Sequence, residues 1–166
     1  MQDNIILIGM PGSGKSTLGV QLAKSLGLNF IDTDLVIQNQ QGQLLQTILN
    51  EKGYQALRDI EEEALLGLEL SHALVSTGGS AVYSDTAMKH LSQHGTIIYL
   101  DVTFEEINKR INNEGSRGIA RPAGQTLEDV YHERTPLYKK YADITIDNNA
   151  FLDTEKLSEE LLAYKK

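Results

Sequence analysis

The stretch from Ile5 to Thr17 constrains the chain more than any other. Four apolar residues, Ile5-Ile6-Leu7-Ile8, run directly into Gly9-Met10-Pro11-Gly12-Ser13-Gly14-Lys15-Ser16-Thr17. The apolar run reads as a strand buried on both faces, and the loop after it matches G-x-x-x-x-G-K-[ST], the P-loop pattern. Its glycines allow the backbone to wrap an anion closely, so the N–H groups of residues such as Gly12, Ser13, Gly14 and Thr17 can form a phosphate cradle. The helix expected from Lys15 adds its positive N-terminal end. Lys15 would reach the β- and γ-phosphates, and the Ser16 hydroxyl would hold Mg²⁺. A glycine-rich turn that binds nothing is the alternative. Eight fitting positions between a buried strand and an amphipathic helix weigh against it. The stretch specifies a nucleoside triphosphate, not what is done with it.

The rest of the chain alternates strands with helices. Apolar runs at Asn29–Ile31, Ala73–Ser76, Thr96–Leu100 and Asp143–Ile146 predict four further strands. Helical spacing covers about 15–26, 34–40, 44–70, 84–92, 104–112, 126–141 and 153–164. Gly53 is expected to break or bend the third of these, and Pro136 to interrupt the sixth. Thr103/Glu106 has capping-box spacing, and Thr126 is placed to cap its helix. Residues 113–125, with three Gly and a Pro, read as a mobile loop carrying Arg117 and Arg121. Strands regularly alternating with helices predict a parallel sheet covered on both faces, a three-layer α/β domain spanning 1–166. The P-loop, Asp32/Asp34, Gly78/Gly79 and Asp101 all fall at strand carboxyl ends, where such sheets bind ligands.

Composition narrows the partners. With 166 residues and a net charge of −8, the chain suits one acidic domain. Nucleic acid and anionic membrane are disfavoured as partners. Without cysteine there is neither a disulfide nor a thiolate metal site. No apolar stretch reaches membrane-spanning length, and the first strand leaves no room for a signal peptide. A cytoplasmic monomer is expected.

The candidate chemistry lies at the strand ends. Asp32 and Asp34, one residue apart, suit a division of labour in which one carboxylate faces the metal and its waters and the other orients an acceptor hydroxyl; either could merely cap the next helix. Arg58 could grip an anionic acceptor, with Glu61 one turn on to hold it, or the two could form an ordinary surface pair. Gly78-Gly79 permits close backbone approach, or a simple tight turn. Arg117 or Arg121 could close over the γ-phosphate. Arg134 faces the cleft or pairs with Glu133 or Asp129. Asp101 resembles a Walker-B aspartate, but the cap at Thr103 explains it as well. The four histidines show no metal-site grouping.

In this order along nearly the whole chain, these residues resemble the shikimate kinase family, small P-loop kinases of the nucleoside-monophosphate-kinase-like group. The resemblance rests on the P-loop, Asp32-x-Asp34, Gly53-x-x-x-Leu57-Arg58-x-x-Glu61, Gly78-Gly79 and Arg121-Pro122. It continues with Glu133-Arg134-x-Pro136-Leu137-Tyr138 and Tyr141-Ala142-Asp143. It implies a five-stranded parallel sheet of order 2-3-1-4-5 with a mobile lid, and ATP-dependent phosphorylation of shikimate. It also implies roles for individual residues. Lys15 and Ser16 hold ATP and Mg²⁺, Asp32 acts on the metal through water, and Asp34 orients or deprotonates the acceptor. Arg58, Gly79 and Arg134 bind the acid, Arg121 is the lid arginine, and Arg110 stacks on adenine. Three positions depart from the family pattern: Leu57 stands for Phe, Ser80 for a third glycine, and Ala123-Gly124 for Leu-Leu after the lid Arg-Pro. A kinase of another metabolite, such as a sugar acid or a nucleotide, and a non-catalytic nucleotide-binding module are the alternative readings.

Overall fold

The computed structural model describes residues 4–114, 119–150 and 152–164. Five strands form one sheet, each paired in parallel with its neighbours. They are β1 (Asn4–Ile8), β2 (Asn29–Asp32), β3 (Ala73–Ser76), β4 (Gly95–Asp101) and β5 (Ile144–Asp147), in the order β2-β3-β1-β4-β5. That is the order the family resemblance implies. The helices are α1 (Lys15–Leu26), α2 (Thr33–Gln41), α3 (Leu45–Leu66), α4 (Asp85–His94), α5 (Phe104–Glu114), α6 (Leu127–Tyr141) and α7 (Thr154–Tyr164).

The period-two alternation of β1 divides the core. Ile5 and Leu7 join Leu74, Ile98 and Leu100 under α1 and α7, through Leu18, Leu22, Leu157 and Leu161. Ile6 and Ile8 join Val75, Ile97 and Tyr99 on the opposite face, against Met88, Leu91, Val130 and Tyr138. The central strand is therefore apolar throughout because neither of its faces meets water. A third cluster (Ile37, Ile48, Leu57, Ala64 and Ala120) ties α2 and α3 to the segment after residue 118.

α3 kinks at Gly53 as expected; the φ of that residue, 82°, lies in the left-handed region open to glycine. Other features differ from expectation. α3 ends at Leu66 rather than near 70, where the backbone of Gly67 caps it. Pro136 does not interrupt α6. The carbonyl that loses its donor belongs to His132, an exposed residue, so water can satisfy it at little cost. A 3₁₀ turn, Ala81–Tyr83, follows the glycines after β3 and carries no apolar period that would announce it. Residues 119–125 form no helix or strand; Arg117 lies outside the described residues.

Candidate active site

The loop between β1 and α1 closes on itself. Gly12 and Gly14 hold φ of 79° and 91°, and Ser13 N–H donates to the Met10 carbonyl at 3.0 Å. Lys15 folds back beneath the loop, its Nζ donating to the carbonyls of Gly9 (2.9 Å) and Met10 (2.8 Å). Burial lowers its pKa to about 8, against the raising influence of Asp34, Asp32 and Glu61. The Ser16 hydroxyl, at the first turn of α1, donates to Asp32 Oδ2 at 2.7 Å. The other oxygen of Asp32 accepts from Asp34 N–H at 3.0 Å, so one carboxylate both caps α2 and reaches the P-loop. The two functions proposed for it from sequence are not exclusive.

The end of β3 forms the opposite wall. Gly78 N–H donates to the buried Thr33 hydroxyl at 3.0 Å, locking β3 to the start of α2. A Cβ on Gly78 would collide with Glu61 Oε1 and lie 3.2 Å from Asp34 Oδ1, so both carboxylates press on this glycine. The Gly79 carbonyl accepts from the Tyr138 hydroxyl at 2.6 Å. Glu61 does not pair with Arg58, as the i,i+3 spacing had allowed. Its carboxylate turns inward and accepts from the Ser80 hydroxyl. Burial there raises its pKa to about 7, with Asp34 adding to the rise and Ser80 opposing it.

Arg134 is 1% exposed and faces the cleft, not Glu133 or Asp129. Its Nη2 donates to the Ala120 carbonyl at 2.8 Å, and Arg58 Nη2 donates to the same oxygen at 3.2 Å. Asp101 binds its own strand neighbour, accepting from the Tyr99 hydroxyl at 2.9 Å, instead of facing the P-loop serine. Arg110 lies on the other side of the P-loop, bonded to Glu106, Gly12 O and Asn148 O, and lines a groove with Thr17 and Asn149.

One cavity of about 140 Å³ brings much of this together. Gly12, Gly14, Lys15, Ser16 and Thr17 line one side, and Asp34, Gly78, Gly79 and Arg134 the other. Ile37, Leu45, Leu57 and Ile119 supply an apolar wall, so aliphatic residues stand where the family pattern has an aromatic one. Arg58 sits just behind Ala120, in an adjoining hollow with Tyr83. Arg121 is not brought to this cavity; it lines a separate open groove beside Leu49 and Tyr54. Sequence reasoning missed Ser80, Tyr83 and the Ala120 carbonyl as parts of the site. Only the departure at Ser80 signalled any of them. Among the described residues no group of three acidic or histidine side chains forms a ready-made metal cage. The Ser16–Asp32 oxygen pair nevertheless fits Mg²⁺, which takes few protein ligands and keeps phosphate and water for the rest.

A phosphate cradle facing a carboxylate and a buried arginine, at the carboxyl end of a parallel sheet, defines a P-loop phosphotransferase. The family model described as shikimate kinase matches residues 11–164. The chain belongs to the shikimate kinase family. It is 38% identical over 164 residues to the shikimate kinase of Histophilus somni, covering 96% of this chain and 90% of that one. It is 39% identical over 147 residues to that of Haemophilus influenzae, covering 86% and 82%. Among solved structures it resembles the Acinetobacter baumannii shikimate kinase in complex with shikimate, with a TM-score of 0.81 and 28% identity, over 98% of this chain and 92% of that one. The Aquifex aeolicus shikimate kinase superposes with a TM-score of 0.77 at 30% identity, over 98% and 95%.

Proposed function

We propose that this single-domain protein transfers the γ-phosphoryl group of ATP to a hydroxyl of shikimate, giving shikimate 3-phosphate and ADP. The observation that carries this reading is the one cavity lined by Lys15, Asp34 and Arg134 together. It joins a phosphate-binding ammonium, a proton acceptor and a carboxylate-binding guanidinium within reach of one small molecule.

Residues Gly12 to Thr17 cradle the ATP phosphates, and Arg110 flanks the adenine in the groove beside them. Ser16 would hold Mg²⁺ directly and Asp32 through water; bound there, the ion neutralises phosphate charge. Asp34 orients the acceptor hydroxyl and takes its proton as the oxygen bonds to phosphorus and the bond to the ADP oxygen breaks. Arg58 and Arg134 bind the acid's carboxylate, with Gly78 and Gly79 against its ring. Lys15, with Arg121 or Arg117 from the lid, offsets charge on the transferring group. Closure of the lid about 113–125 excludes water and so prevents wasteful hydrolysis. A cytoplasmic monomer without a nucleic-acid partner completes the reading. The net charge of −8 supports it. Among the described residues no helix is long and apolar enough to cross a membrane.

A coupled ADP-release assay tests this with shikimate, gluconate-like acids and nucleoside monophosphates as acceptors. Shikimate should stimulate release strongly and the others should not. Asp34→Asn should lower the stimulated rate by roughly 10²–10⁴-fold while ATP still binds. Stimulation by a different acceptor alone would overturn the substrate assignment. Normal turnover by the Asp34→Asn variant would overturn the assignment of the base.

A further inference from the structure

Tyr83 closes the 3₁₀ turn after the glycines that follow β3, and two arginines and a glutamate meet at its side chain. The Arg58 guanidinium lies over its ring, Cζ 3.7 Å from the centroid. Arg134 Cζ stands 5.3 Å from the same centroid, and its Nε donates to the Tyr83 hydroxyl at 3.4 Å. That hydroxyl in turn donates to Glu133. Two guanidinium groups also converge on one oxygen, the Ala120 carbonyl. Like charges so close repel, and in a partly buried site water screens them poorly.

Among the described residues the nearby acids form no ion pair with either arginine, although the Glu61 carboxylate favours the charged form of Arg134. Glu61 is engaged by Ser80, and Glu133 by Tyr83 and by Gln125 Nε2 at 3.0 Å. Arg58 Nε is buried and has no hydrogen-bond partner among the described residues. What lies against the Arg58 charge is aromatic: Tyr83 at 3.7 Å and Tyr54 at 5.0 Å from ring centroid to Cζ. The negative face of a ring attracts a guanidinium without consuming its N–H donors. A carboxylate partner would stabilise the charge equally well but would occupy the donors needed to grip an acid.

We propose that Tyr83 is a positioning residue that holds Arg58 and Arg134 as a pre-organised pair for the acceptor's carboxylate. This rests on the reading that the acceptor is an acid bound by those arginines. Tyr83 acts through them and not on the reacting atoms. Losing the ring frees a long side chain to sample other rotamers, and that freedom must be given up again on binding. The loss should therefore fall on the acid and spare ATP.

The test is steady-state kinetics of Tyr83→Leu and Tyr83→Phe. The Leu variant should raise KM for shikimate about tenfold, in line with the loss of one well-placed ring–cation contact, while KM for ATP stays within about twofold. The Phe variant keeps the ring and should return KM for shikimate to within about threefold of wild type. Tyr83→Met carries the same expectation as Leu and replaces it if that variant does not fold. An unchanged KM for shikimate, or equal rises in both KM values, overturns the proposal; so does a Phe variant no better than Leu. A wild-type protein that leaves shikimate unphosphorylated overturns the underlying reading and this proposal with it, an outcome visible before any variant is made.

Discussion

At the scale of single residues the site works by making side chains serve two demands at once. In the proposed reaction Lys15 must be charged to hold phosphate, yet it is buried under the loop, and burial lowers its pKa to about 8. Triphosphate beside the ammonium favours the charged form, so binding above pH 8 must be accompanied by proton uptake. Affinity for a non-hydrolysable ATP analogue should consequently be flat below about pH 7.5. Above pH 8 it should fall by up to roughly tenfold per pH unit. Calorimetric titrations at pH 7, 8.5 and 9.5, each in two buffers of different ionisation enthalpy, measure both the affinity and the protons taken up. An affinity constant across that range would show that the charge on Lys15 does not titrate there. Asp32 shows the same economy: its two oxygens bind Asp34 N–H and the Ser16 hydroxyl, so one carboxylate both caps α2 and reaches the P-loop serine. That pairing was half-visible in sequence, because spacing shows that an aspartate can cap but not where its second oxygen points. Arg58 and Glu61 were harder. Helical spacing placed them within reach of each other, and tertiary partners drew each elsewhere, Glu61 to Ser80 just before the 3₁₀ turn and Arg58 to Tyr83 within it.

At the scale of elements, caps and periods carried most of the information. A capping box was expected at the start of α5 and a threonine cap alone at the start of α6. At α6 the box is complete: Thr126 Oγ1 accepts from Asp129 N–H at 3.1 Å and Asp129 Oδ2 from Thr126 N–H at 2.9 Å. At α5 it is half-made. Glu106 N–H donates to Thr103 Oγ1 at 3.4 Å, but the Glu106 carboxylate goes to Arg110 and Asn149 takes the Thr103 N–H. The two motifs look alike in sequence and differ because a cation one turn further on competes for the carboxylate. Thr126→Ala should therefore cost about 1 kcal/mol and lower the melting temperature by about 2–4 °C. It should leave both KM values unchanged, since Arg134 and Tyr138 lie two turns or more from the cap. A thermal melt alongside the kinetic assay checks both halves; a selective loss of shikimate affinity would mean that the cap sets the position of Arg134. The 3₁₀ turn left no such mark. Three residues make a single 3₁₀ turn and cannot repeat a period, so the element that carries Tyr83 had no pattern to reveal it.

At the scale of the whole molecule, the strand-by-strand burial pattern made the layers readable, while the strand order came from family resemblance. The inner wall of the cavity was not readable, because it is assembled from β3, α3, α6 and the segment after 118, far apart in sequence. Its cost is a buried carboxylate in an acidic protein. Burial raises the pKa of Glu61 to about 7 in the folded state, from an ordinary value near 4.5 when unfolded. Below pH 4.5 both states bind the proton. Between 4.5 and 7 only the folded state does, so the stabilisation present at low pH is lost as pH rises through that window and is gone above it. A shift of this size corresponds to about 3 kcal/mol for a fully buried group. Glu61→Gln removes the titration while keeping an acceptor for the Ser80 hydroxyl. Urea unfolding at half-unit steps from pH 5 to 8 should show wild-type stability declining relative to the Gln variant by about that amount, with the steepest relative change between pH 5 and 7. Parallel curves for the two proteins would place the Glu61 charge in contact with solvent or with a compensating arginine, and would remove the buried carboxylate as a source of pH-dependent stability.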